Sequence, residues 1–337
     1  MKTGLFLGKF SILHKGHQYI IDTALKEVDE LLVLIYDSPS STNIPLDLRA
    51  SWIKSLYPKV NVILGWNAPE CSGYTDEIKK TQEDYVLGIL NGKKVTHFYS
   101  SEPYGEHMSK ALNCIERTID IKRSTVTISA SKVQENPFKY REFVHPLVYR
   151  DLIINTVFVG APSTGKSTMA ELMSKEYSTV FMPEYGREYW DACQIERRLT
   201  PEQLVEIAEG HLEREDKMLE KSNRYLFTDT NAITTYMFSL DYHGYALKRL
   251  QELADYAEKR YDLVFLCGDD IPYDDTWDRS GDTDRKIFQR KIIADLQRRR
   301  IPYIELNGKL EERIQKVKKV LGKYEKYISL GNLVGEV

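Results

Sequence analysis

The chain has 337 residues, enough for two ordinary domains, and 42% of them are hydrophobic, which suffices for two cores. Its 47 Lys and Arg against 50 Asp and Glu leave a net charge of -3, without the basic excess of a general nucleic-acid binder. No apolar stretch approaches the roughly 18 residues of a membrane span, so no membrane insertion is expected.

In chain order, strand-like runs at 4–8, 31–36, 60–64, 95–99 and 117–121 alternate with helical patterns. One of these is 17–28, where Ile20, Ile21, Ala24, Leu25 and Val28 share a face. Such alternation predicts βαβ units around a parallel sheet. Pro137 and Pro146 punctuate 136–150, and a second set of strands follows at 153–159, 180–182, 225–228, 263–266 and 303–306. Long helical patterns at 201–220, 245–259 and 284–299 separate them. The expected fold class is therefore α/β throughout. A Rossmann-like domain with a parallel sheet spans 1–145, a second α/β domain spans 150–323, and 324–337 is a tail. The run Arg298, Arg299 and Arg300 reads as a solvated helix face. The four cysteines, Cys71, Cys114, Cys193 and Cys267, lack zinc or redox spacing and read as reduced thiols of a cytoplasmic protein.

The second half carries the sharpest motif. Gly160-Ala161-Pro162-Ser163-Thr164-Gly165-Lys166-Ser167, followed by Thr168, fits GxxxxGK[ST] between a strand and a helix. Glycines there let backbone N–H groups turn toward phosphate oxygens, and the helix N-terminus favours anions. Lys166 reaches the terminal phosphates of ATP, and Ser167 is placed to ligate Mg²⁺. Asp229, at the end of the third strand of this half, stands where a second metal-side acid belongs, although a helix cap is also open to it. Pro183-Glu184-Tyr185-Gly186-Arg187 emerges at the carboxyl edge of the sheet. There Glu184 is a candidate base, Tyr185 a candidate stacking ring and Arg187 a candidate phosphate contact. Which of Glu184 and Asp229 is the base stays open. The polar segment 274–285 reads as a lid over ATP, with Arg279 and Arg285 as its candidate contacts and Asp275 as a candidate substrate contact.

The first half carries Gly8-Lys9-Phe10-Ser11-Ile12-Leu13-His14-Lys15-Gly16-His17 after its first strand. Two imidazoles at the start of a helix, with a lysine nearby, suit the charge that builds when AMP is transferred and pyrophosphate leaves. Ile128-Ser129-Ala130-Ser131-Lys132-Val133-Gln134 offers a second anion cradle near the domain's end.

In their order along nearly the whole chain, these motifs resemble the NadR-type bifunctional family, in which a nicotinamide-nucleotide adenylyltransferase is fused to a P-loop ribosylnicotinamide kinase. The resemblance implies that the second half converts nicotinamide riboside and ATP to nicotinamide mononucleotide (NMN). The first half would join NMN to AMP, giving NAD and pyrophosphate, and both would use Mg²⁺. It further implies that His14 and His17 act on the α-phosphate and that Gly8, Lys9, Phe10, Ser129, Ser131 and Lys132 hold ATP. Ser101, Glu102, Tyr104 and Trp66 would meet the pyridine nucleotide, and Arg49 and Arg123 are candidate phosphate contacts. The sequence departs from the family pattern at Ile12, where proline is usual, and at Gln134, where arginine is usual. An alternative is thereby kept: a riboside kinase whose first domain is weakened or regulatory. No leading DNA-binding module is expected, so nucleic acid is not an expected partner, and homo-oligomerisation is left open.

Overall fold

The computed structural model describes residues 1–71, 73, 75–101, 105–193, 199–272 and 285–328. They group into two compact units, Met1–Tyr149 and Arg150–Lys326. Among the described residues, no helix is long and apolar enough to cross a membrane.

The first unit runs β1 (Thr3–Gly8), α1 (Lys15–Glu27), β2 (Glu30–Tyr36), α2 (Leu46–Leu56), β3 (Asn61–Gly65), α3 (Asp76–Leu90), β4 (His97–Ser100), α4 (Gly105–Ala111), β5 (Ile115–Thr118) and α5 (Ala130–Glu135), and ends in α6 (Pro146–Leu152). Its strands form one parallel sheet in the order β3-β2-β1-β4-β5. Because β1 leads to β2 on one side while β4 leads to β5 on the other, the direction of winding reverses between them. A crevice opens beyond their carboxyl ends. The Gly8–His17 segment lies there. The last strand sits earlier than the 117–121 expected from the sequence. The chain leaves the sheet at Asp120, which has a positive φ of 51° and whose carboxylate accepts the N–H groups of Ser124, Thr125 and Val126.

The second unit runs β6 (Ile154–Val159), α7 (Lys166–Glu176), β7 (Phe181–Met182), α8 (Tyr185–Cys193), α9 (Pro201–Leu219), β8 (Tyr225–Asp229), α10 (Ala232–His243), α11 (Lys248–Ala257), β9 (Leu263–Cys267), α12 (Arg285–Arg298), β10 (Ile304–Leu306) and α13 (Leu310–Leu321). The sheet is again parallel, ordered β10-β9-β6-β8-β7. Strands β6, β8 and β9 are buried throughout, as the apolar runs require when helices cover both faces. Here β6 and β9 send the chain in opposite directions, so the glycine-lysine loop after β6 occupies the crevice. The helix expected over 245–259 starts at Lys248, because Gly244 closes α10 in the left-handed region.

Candidate active sites

In the first unit, His14 is the N-cap of α1, and the N–H of Gly16 donates to its Nδ1 at 3.0 Å. That bond makes Nδ1 an acceptor, so the neutral ring carries its proton on Nε2, free to donate. Gly16 has an ordinary helical φ, and space alone makes it glycine. A Cβ there would lie 2.8 Å from His14 Cε1 and 2.9 Å from Nδ1. His17, one helical turn on, stacks on His14 with ring centroids 3.9 Å apart. Phe10 packs against His17 from below at 4.8 Å. Burial, and then the Arg123 guanidinium, lower the His14 pKa from 6.5 to about 4. Burial, then His14, hold His17 well below its ordinary value, opposed by the Ile12 carbonyl. Both rings are thus neutral at physiological pH.

The cationic groups of this site sit at the surface. Lys9 is exposed and donates to Ser41 Oγ at 2.7 Å, and Gln134 donates to the Ser41 carbonyl at 3.5 Å. Where the family usually has arginine, the chain therefore has a glutamine beside a lysine. Ser129 caps α5 by accepting from Lys132 N–H, while Ser131 and Lys132 are exposed. Trp66 is 57% exposed, a free aromatic face held on a turn whose N–H groups, at Asn67 and Ala68, donate to Asp37. Ser101 follows β4 as expected; Glu102 and Tyr104 lie outside the described residues.

Two expectations are corrected here. Phe10 is 2% exposed, so its ring supports His17 and is not offered to a nucleotide. Arg49 is 1% exposed, and its guanidinium donates to the carbonyls of Ile44, Lys9, Tyr36 and Asp37. It braces the Lys9 loop, and its guanidinium is turned to backbone carbonyls. Ile12, in place of proline, is buried at 3% and anchors that loop by packing.

In the second unit, Gly160 has φ +144°, and a Cβ there would lie 2.7 Å from the Cys267 carbonyl. Ser163 and Gly165 are also left-handed, which turns the loop around before α7 begins. Gln289 fixes the loop: Ala161 N–H donates to its Oε1 at 2.7 Å, and its Nε2 donates to the Cys267 carbonyl at 2.9 Å. Arg313, 2% exposed, donates to the Thr164 carbonyl at 2.8 Å, to the Gly268 carbonyl and to Asp270. Lys166 Nζ rests on the Ala161 carbonyl at 3.0 Å.

A cavity of about 470 Å³ opens beside this loop. Residues Ser163 to Thr168, Glu184, Arg187 and Arg285 line its polar side. Glu184 and Arg187 face each other at 3.7 Å. Arg285 donates to the carbonyls of Ser163, Asp269 and Ile271, so the candidate lid arginine stands at the loop itself. Asp275 and Arg279 lie outside the described residues. Asp229 ends β8 at 1% exposure, and its Oδ1 has no hydrogen-bond partner among the described residues. Burial and then the Glu184 carboxylate raise its pKa to about 6, against the opposing pull of Lys166, Ser167 and Arg187.

Tyr185 is a third correction. Its ring lies under the Arg214 guanidinium, 3.9 Å from centroid to Cζ, and over Gly210, off the cavity wall. The apolar side of the cavity comes instead from Trp190, Phe238 and Tyr242, with Leu199, Leu204 and Ile207 behind them. The pattern 186, 187, 190 on α8, which faces the cavity as one helical stripe, was the available signal for Trp190.

The family model of cytidylyltransferase-like proteins matches residues 5–136, and that of an AAA domain matches 155–313. The chain is 30% identical over 330 residues to the trifunctional NAD biosynthesis/regulator protein NadR of Escherichia coli, covering 90% of this chain and 78% of that protein. It is 28% identical to the same-named protein of Salmonella typhimurium, covering 95% and 83%. A crystal structure of a NadR protein in complex with NAD and AMP-PNP matches 97% of this chain and 98% of its own, with a TM-score of 0.58 at 19% identity. A second, of a NadR protein in complex with NR, matches over the same shares at 20% identity. At that identity the two structures establish a shared fold.

Proposed function

The chain belongs to the NadR family, and from that premise we propose that it is a two-site enzyme of NAD salvage. The second unit phosphorylates nicotinamide riboside with ATP to give NMN. The first unit transfers AMP from a second ATP to NMN, giving NAD and pyrophosphate. The observation that carries this reading is the placement of the two motifs, one in each unit. Each lies at the carboxyl edge of a parallel sheet and at a helix N-terminus: His14–His17 on α1, and Gly160–Ser167 on α7. The names of the E. coli and Salmonella relatives, and the ligands in the titles of the two NadR crystal structures, support the substrates.

In the kinase site, the loop N–H groups and Lys166 hold the ATP phosphates in line with the acceptor hydroxyl. Glu184, on the cavity wall beside Arg187, is placed to take the acceptor's proton as the oxygen–phosphorus bond forms. Asp229 is enclosed behind the loop and suits the metal side. A buried carboxylate oxygen with no donor among the described residues, next to the Ser167 hydroxyl, is a hard oxygen set that fits Mg²⁺. Bound there with phosphate oxygens, Mg²⁺ would neutralise the charge developing on the transferred group.

In the adenylyl-transfer site, the Nε2–H of His14 would donate to an α-phosphate oxygen as the NMN phosphate attacks and pyrophosphate leaves, with the His17 ring stacked against it. A neutral imidazole donor requires no proton transfer, and its pinned geometry costs no reorganisation during the step. Lys9, Lys132 and Arg123 would supply the positive field for the triphosphate, with Lys9 standing in for the arginine that Gln134 replaces. Trp66 would stack on the nicotinamide ring.

Product analysis with riboside and ATP, and separately with NMN and ATP, tests the proposal. His17→Ala should abolish NAD formation and leave riboside phosphorylation intact, and Lys166→Ala should do the reverse. A folded His17→Ala protein that has lost both activities would refute independent sites. Absence of NAD and pyrophosphate from NMN and ATP in the unaltered chain would leave a kinase with a regulatory first unit.

A further inference from the structure

The buried stripe of α9 reads Leu204, Ile207, Ala208, His211, Leu212, Glu215 and Leu219. Two polar residues interrupt it one turn apart. Glu215, with no exposed surface, is fully engaged. Asn155 Nδ2 donates to it at 2.6 Å, the Tyr261 hydroxyl donates at 3.0 Å, and Arg260 pairs with it at 3.2 Å. His211 is not engaged in this way. It is 3% exposed, and neither ring nitrogen has a hydrogen bond among the described residues. Its Nε2 is wholly enclosed and lies 3.9 Å from Glu215 Oε2, an ionic neighbour beyond hydrogen-bonding range.

The rest of the ring lines the kinase cavity in company with Glu184. Nε2 is enclosed, so the nitrogen left for a ligand in the cavity is Nδ1. A buried polar atom left without a partner is uncommon in a folded protein, and a ring that lines a cavity is completed by what enters it. A sugar hydroxyl both donates and accepts, so it satisfies Nδ1 in either neutral tautomer, whereas an ionised phosphate oxygen can only accept.

We propose that His211 Nδ1 hydrogen-bonds a ribose hydroxyl of the phosphoryl acceptor, making His211 a specificity-determining residue of the kinase site. The inference rests on the riboside-kinase reading above. Three features favour the acceptor over the ATP ribose. His211 sits within the electrostatic reach of Glu184, the group placed to receive the acceptor's proton. It rises from α9, on the side of the cavity walled by Leu204 and Ile207. It is also absent from the loop that holds the phosphates. Burial, which lowers its pKa to about 4, keeps the ring neutral throughout the physiological range.

The test compares the unaltered chain with His211→Phe and His211→Gln, using nicotinamide riboside and its 2′-deoxy and 3′-deoxy analogues. Steady-state KM and kcat are read for each acceptor and for ATP, and ATP binding at the glycine-lysine loop is measured as a control for folding. We expect His211→Phe to raise the riboside KM by about tenfold, the loss of one good hydrogen bond, with the ATP KM unchanged. The same substitution should cost nothing further on the one deoxy analogue that lacks the bonded hydroxyl, and His211→Gln, which keeps an acceptor oxygen, should recover part of the loss. An equal penalty on all three acceptors, or a rise confined to the ATP KM, overturns the inference. If His211→Phe fails to bind ATP, the decision passes to His211→Gln: the same discrimination among acceptors supports the inference, and its absence overturns it. An unaltered chain that phosphorylates no riboside refutes the kinase reading itself, a result distinct from unchanged kinetics in the variants.

Discussion

Replacing Gly16 by alanine separates the chemistry of the first site from its stability. The new Cβ would fall 2.8–2.9 Å from two atoms of the His14 ring, closer than side chains approach one another, so the ring must swing off Gly16 N–H. Losing that N-cap bond costs about 1 kcal/mol. Exchanging glycine for alanine inside the first turn returns up to about 1 kcal/mol of helix propensity. The two nearly cancel, so the melting temperature should hardly change. The chemistry has no such offset. A displaced His14 no longer aims its Nε2–H and no longer supports the stacked His17 ring. Removal of one preorganised donor costs about 10²–10³ in rate. We therefore expect kcat for NAD formation from NMN and ATP to fall by at least about 100-fold, while riboside phosphorylation stays at its original rate. Quenched assays of both products on one preparation, with a thermal melt alongside, make the measurement. NAD formation within threefold of the original would refute the view that the Gly16–His14 bond orients the reactive donor.

The other predictions rest on burial and charge. The His14 pKa is about 4 folded against 6.5 unfolded, so the folded chain refuses a proton that the unfolded chain takes up. Its contribution to stability is therefore complete above pH 6.5 and is lost as pH falls toward 4, to a total of about 3 kcal/mol. In urea unfolding across that window, His14→Gln should show a shallower pH dependence than the unaltered chain. Gln289→Leu orphans the Ala161 N–H and the Cys267 carbonyl, both buried, and should destabilise the second unit by about 2–5 kcal/mol and weaken ATP binding there; retained stability and affinity in calorimetry would count against it. Trp66→Ala removes an exposed ring and should raise the NMN KM several-fold without lowering the melting temperature. Raising KCl from about 0.05 to 0.5 M should raise the ATP KM of NAD formation more than that of riboside phosphorylation, because exposed cations are screened and buried ones are not; equal slopes would contradict this.

The phosphate chemistry of both sites is legible in the sequence for a physical reason: each site is a short continuous segment. A loop that wraps phosphates needs glycines, a cation and a hydroxyl within eight residues, and a capped helix start needs its imidazoles at fixed offsets. The braces behind the glycine-lysine loop are not legible, because they join residues more than a hundred positions apart. Gln289 and Arg313 reach the loop from α12 and α13, and nothing in their own neighbourhoods marks them. Arg49 is the same problem inverted. A lone arginine near a nucleotide motif suggests a phosphate contact, and only the fold reveals four carbonyls waiting for it. Tyr185 was a question of helix rotation. On α8, residues 186, 187 and 190 form the cavity stripe, which turns 185 and 189 toward α9.

The two sites meet one electrostatic problem with opposite distributions of charge. In the second unit the cation is built into the fold: Lys166 is buried, rests on its own loop and faces the buried carboxylate of Asp229. That arrangement leaves Asp229 in tension, raised to about 6 by burial and by Glu184, and binding of a divalent cation with the ATP phosphates would relieve it. In the first unit the two imidazoles at the helix start carry no charge. His14 and His17 are neutral, and the cations Lys9, Lys132 and Arg123 stand in solvent. A neutral pair can be buried without a counter-ion, so its rings can be locked by stacking and by a single backbone bond. The cost is that attraction of the triphosphate falls to residues that water and salt can screen. Replacing arginine by Gln134 is tolerable in that design and would not be in the other. A surface cation can be supplied from a neighbouring position, and Lys9 and Gln134 both bond to Ser41, whereas a buried one is fixed by its own loop.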